Sequence, residues 1–156
     1  MLITKVTAKQ VSTILQGLVG MYKEPIPSNT TYWLVRDMHW LESEGQRLEK
    51  KRIEIIMRYV KKDKDGKPIL KDEGKKYDIE NEEGLNKEIN ELLESEVDMR
   101  LKTFKLKDFK GDGNKEIYIS MENLTKIKPI IEDWEKESKA ILDLGIKKKA
   151  KNKEGD

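Results

Sequence analysis

A chain of 156 residues has the size of one ordinary domain and can bury a core of useful extent. Charged residues make up 40% of it against 36% hydrophobic ones, a balance that favours elongated helical structure with much solvated surface. With 32 Lys and Arg against 30 Asp and Glu, no general field draws in nucleic acid or a membrane, and the lack of cysteine excludes disulfides, thiolate metal sites and thiol catalysis.

The opening stretch MLITKVTAKQVSTILQ has no basic region followed by an unbroken apolar run, so neither a signal peptide nor a membrane anchor is expected. Leu2 to Val6 alternates and is β-branched enough for a strand. Thr7 and Gln10 then match a capping box, in which each side chain satisfies an amide of the other's turn, and a helix should start there. Val11, Ile14, Leu15, Leu18, Val19 and Tyr22 recur on one face, and Pro25 and Pro27 stop the helix.

Ser28 to Lys61 reads as one long amphipathic helix, with Ser28 or Asn29 as its cap. Leu34, Met38, Leu41, Gly45, Leu48, Arg52, Ile55 and Tyr59 alternate in steps of four and three along one stripe. At about 1.5 Å rise per residue this is a rod on the order of 45 Å, and the short Pro-Ile-Pro connection makes a helical hairpin with the first helix. Gly45 within the stripe suggests a close backbone approach or a bend. The first helix can cover only the half up to Gly45, so the distal half needs cover from elsewhere in the chain, from a second copy or from a partner.

Lys61 to Lys76, KKDKDGKPILKDEGKK, carries turn chemistry at Asp65-Gly66 and at Glu73-Gly74, with Pro68 to Leu70 and Lys75 to Ile79 forming a small exposed hairpin. A calcium loop with Gly66 at its sixth position would begin at Lys61, a cation where a carboxylate is required, and calcium is therefore not expected. Asn81 to Val97 reads as a third helix with Leu85, Ile89, Leu92, Leu93 and Val97 on one side and a dense run of glutamates on the other. Arg100 to Leu106 and Glu116 to Ser120 read as an antiparallel hairpin, with Leu2 to Val6 as an additional strand. Ser120 caps a short helix through Ile127, and Pro129 opens a last helix carrying Ile130, Ile131, Trp134, Ile141 and Leu142 as far as Gly145. Residues 1–145 make one domain, and 146–156 are a lysine-rich tail.

Chemistry is sparse. His39 is the single histidine, with Glu42 and Ser43 three and four residues on, and no second histidine or any cysteine exists to complete a metal site. Phosphate-loop and dinucleotide glycine patterns are absent, so no catalytic residue, metal or cofactor is assigned. Candidate partner-binding residues are Tyr32, Trp33 and Trp40, aromatic anchors where they are not covered by helices, Ile53 and Ile56 on the distal half of the rod, and Glu88 and Glu91 on the acidic helix. The alternative is nucleic-acid binding by Lys61, Lys62 and Lys64 together with Lys147, Lys148 and Lys149 of the tail, although Asp63, Asp65, Asp72 and Glu73 interrupt the first patch.

The order of these elements also resembles a known family. A Pro-containing turn, a long helix ending in MRYVKKDKDGKPIL, the DEGKKYDI segment, NKEINELLESEVDMRL and EIYISMENLTKIKPII are together similar to phage and prophage proteins of about 150 residues and unknown function from low-GC Gram-positive bacteria. The likeness runs to about Asp133 and is most specific at Asn86 to Val97, centred on Asn90, Glu91, Leu92 and Leu93, and at the Asp65-Gly66-Lys67 turn. It carries no active-site residue, and the lysine-rich end beyond Gly145 departs from it. It implies a protein of the infected bacterial cytoplasm or of the virion.

The expectation is an α+β fold, mainly α: a long central helix in a helical hairpin, two further helices and a small antiparallel sheet. The function expected is non-enzymatic binding of another protein, in particle assembly or in blocking a host defence factor, with a homo-oligomer as a further outcome.

Overall fold

Thr7 sets where the first helix begins. In a computed structural model, which describes residues 2–21, 24–110 and 119–136, the Thr7 hydroxyl accepts the Gln10 amide at 3.2 Å and the Gln10 side chain accepts the Thr7 amide at 2.8 Å. This reciprocal box separates strand β1, Leu2–Thr7, from helix α1, Ala8–Gly20. The long helix follows as α2, Ser28–Tyr59. Its cap is neither Ser28 nor Asn29: Pro27, with its ring-fixed φ, holds the non-helical cap position, and its carbonyl accepts the Thr31 amide at 2.9 Å.

Beyond α2 the chain makes a compact ribbon. Strands β2, Leu70–Lys71, and β3, Lys76–Tyr77, pair antiparallel around Asp72, Glu73 and Gly74, all at positive φ. At the other end of the ribbon the Asp63 carboxylate accepts the Asp65 and Lys67 amides, both at 2.9 Å, which closes the turn through Gly66. Backbone bonds from Lys61 to Asp78 and from Ile69 to Lys61 stitch the ribbon to the end of α2.

Helix α3, Glu82–Glu94, starts on the Asn81 side chain, which accepts the Gly84 amide. It stops three residues before the expected Val97, because Ser95 turns back on the Leu92 carbonyl and the chain becomes extended. Strand β4, Glu96–Lys102, buries Val97, Met99 and Leu101 and exposes the residues between. It pairs antiparallel with β1, Thr7 opposite Glu96 and Leu2 opposite Lys102, with one shift of register between Ile3 and Lys5.

The sheet therefore differs from the expected hairpin of Arg100–Leu106 with Glu116–Ser120. Residues 116–118 lie outside the described residues, and after Lys102 the chain leaves β geometry for a 3-10 turn, Leu106–Phe109. The Asp133 carboxylate anchors that turn through the Leu106 amide at 2.9 Å, and Thr30 of α2 donates to the Asp108 carbonyl at 2.6 Å.

Helix α4, Met121–Lys126, is capped by Ser120 as expected. Pro129 does not open a last helix there: it sits in a 3-10 turn, Lys128–Ile130, after which Ile131 bridges in parallel to Phe104. Helical backbone resumes at 134–136, while Ile141, Leu142, Gly145 and the lysine-rich tail lie outside the described residues.

One apolar core ties these pieces together, and it sits at one end of the rod. Val11, Ile14 and Leu18 of α1, Leu34 and Leu41 of α2, Leu101 of β4, the Phe104–Phe109 pair, and Leu124, Ile127 and Ile130 pack in a single cluster. The architecture is α+β and mainly α, a helical hairpin with two further helices and a small antiparallel sheet. Past Leu41 the picture changes. Among the described residues from 42 to 95, only Val60 is fully buried, and α3 contributes no buried residue at all. Gly45 is an ordinary tolerated glycine, since a Cβ there would meet nothing within 4 Å.

Candidate interaction surface

The distal half of α2 and the length of α3 lie side by side with apolar residues only half covered. Ile55, Ile56 and Met57 on α2, and Leu85, Ile89, Leu92 and Leu93 on α3, all keep part of their surface in water. The two helices are joined at their edge by polar contacts. Glu88 accepts the Tyr59 hydroxyl at 2.8 Å and pairs with the Arg58 guanidinium. By accepting that hydroxyl, the Glu88 carboxylate raises the Tyr59 pKa above its ordinary value.

Next to this seam opens a groove of about 680 Å³, lined by Lys51, Glu54, Ile55, Met57, Arg58 and Lys62 of α2 and its exit and by Leu92 of α3. Its floor is apolar and its rim mostly cationic. Lys51 and Arg58, seven residues apart, lie within about 20° of one another on α2 and on the same side as Ile55, and Lys62 joins them from the extended backbone that follows the helix. Arg58 is engaged by Glu88, whereas no ion pair joins Lys51 or Lys62 to a described residue. A shape of this kind can seat an apolar side chain and a carboxylate together, the chemistry of a protein surface. Among the described residues no group of three or more His, Cys, Asp or Glu is placed to hold a metal.

The residues expected to bind a partner are dispersed. Trp33 is half-buried against the core, with Tyr32 edge-on at 5.3 Å and the Arg36 guanidinium 4.5 Å above its ring. Tyr32 and Trp40 are 67% and 59% exposed, too open to be the covered aromatics of a central helix. Trp40 stands eleven residues before Lys51, within about 20° of it around the helix, so it extends the groove's side of α2 by about 16 Å. Ile53, 48% exposed, is about 200° from Lys51 and lies on the far side, and Ile56 is displaced by about 140°. Glu88 belongs to the α2–α3 seam, and Glu91 is exposed one residue before Leu92.

Some lysines of the nucleic-acid alternative are offset by neighbours. Lys61 pairs with Asp78 at 3.1 Å, Lys71 with Glu82 at 3.9 Å and Lys76 with Asp72 at 3.5 Å, while Lys62 joins the groove and Lys64 is exposed on the ribbon. Lys147, Lys148 and Lys149 lie outside the described residues. Lys51, Met57 and Arg58 were not among the residues expected from the sequence, and the seven-residue step from Lys51 to Arg58 is the one signal there that points to them. His39 is exposed on α2. No described helix is long and apolar enough to cross a membrane. Comparison with protein-family models, with curated proteins and with solved structures finds no match to this chain.

Proposed function

We propose that this is a non-enzymatic, phage-encoded protein that acts by binding another protein, either in particle assembly or by blocking a host defence factor. The observation that carries the reading is the groove between α2 and α3. A lobe in which Val60 is the one buried residue among those described leaves Ile55, Met57 and Leu92 partly exposed, and cover by a partner would recover a fraction of the roughly 1.5–3 kcal/mol that complete burial of such a side chain is worth. The resemblance of the MRYVKKDKDGKPIL, NKEINELLESEVDMRL and EIYISMENLTKIKPII stretches to phage proteins supports the phage setting.

The test is affinity capture from phage-infected cells with the wild-type chain and with Leu92→Asp, which places a carboxylate on the groove floor. A specific protein captured by the wild type and lost by Leu92→Asp, with unchanged far-ultraviolet circular dichroism, is the expected result. No partner, together with catalytic turnover by the purified chain, would overturn the reading.

A further inference from the structure

We draw no further inference here: the strongest candidate, the exposed aromatic patch that Tyr32 and Trp40 form on the core half of α2, has its flanking cations Arg36 and Arg47 already engaged by Asp37 and Glu44, and nothing in the structure shows what covers it.

Discussion

Asp37 and Lys102 are 65 residues apart in the chain, and the buried carboxylate of one accepts the backbone N–H of the other at 2.7 Å. The second carboxylate oxygen takes both an Nε bond at 3.0 Å and a terminal N–H bond at 2.6 Å from Arg36. This single side chain fixes the long helix to the last residue of β4, where the sheet ends and the chain turns towards Phe104 and Phe109. Asp37→Ala removes the acceptor of that amide and should cost about 1–3 kcal/mol in chemical denaturation. A loss below about half a kcal/mol would mean that water replaces the carboxylate and that the tie is incidental.

The same group gives a pH dependence with a definite sign. Burial raises the Asp37 pKa above the ordinary carboxylate value, against the Arg36 guanidinium and the Lys102 amide, which act to lower it. The folded chain therefore holds this proton more tightly than the unfolded chain does. Ionisation of Asp37 weighs against folding above its raised value, and that penalty fades as pH falls towards the ordinary carboxylate value. Asp37→Asn has no such titration, so on acidification the difference in stability between the two chains should move in favour of the wild type. Movement in the opposite direction would show that the pairing with Arg36 outweighs burial.

Local signals in the chain were legible, and distant ones were not. The Thr7–Gln10 box, the cap at Ser120, the two turns of the ribbon and the period of α2 are all written within a few residues, and each stands where the spacing predicts. The start of β4 was hidden because Leu93 and Val97 are four apart and fit a helix, while Val97, Met99 and Leu101 also alternate and fit a strand. What decided it was pairing with β1, about ninety residues away, which no local window contains. The groove failed to show for a similar reason. Lys51 and Arg58 share a helix side in the sequence, but only the turn out of α2 brings Lys62, and only the packing of α3 brings Leu92, beside them.

Gly17 makes room for α4. A Cβ at that position would stand 2.7 Å from the Ile127 Cγ2 and 2.8 Å from the Lys126 Cβ, both inside contact distance. Ile127 is fully buried and cannot swing aside, so α4 must move instead. Gly17→Ala gains helix propensity of up to about 1 kcal/mol and loses about 1–3 kcal/mol to overpacking, which makes a net loss of stability the expected outcome. Thermal unfolding reads it directly, and a stabilised variant would show that α4 is free to shift.

The ribbon lysines give a prediction against nucleic acid. Lys61, Lys71 and Lys76 stand beside carboxylates, and Asp63, Asp65, Asp72 and Glu73 interrupt the four lysines left, so the ribbon presents no continuous cationic track to displace counterions. A gel-shift titration at low salt should give no retarded band at micromolar protein, for either DNA or RNA. A band that weakens steeply with salt and disappears in Lys62→Glu with Lys64→Glu would instead assign the ribbon to nucleic acid.

The last prediction divides the rod itself. Leu41 and Ile56 lie fifteen residues apart on one helix, yet Leu41 is completely buried in the core and Ile56 is only half covered in a lobe with little core of its own. Truncating a packed leucine costs its transfer energy plus the cavity left behind, so Leu41→Ala should lose about 2–5 kcal/mol and lower the unfolding transition of the whole chain. At Ile56 the side chain already meets water, and the neighbouring structure can relax into the space, so Ile56→Ala should lose less than about 1.5 kcal/mol. Its effect should also be local: faster amide exchange in the second half of α2 and in α3, with exchange in α1 and β4 unchanged. Equal losses at both positions, with exchange accelerated throughout, would mean that the two halves unfold as one unit and that the distal lobe is stabilised by contacts as strong as those of the core.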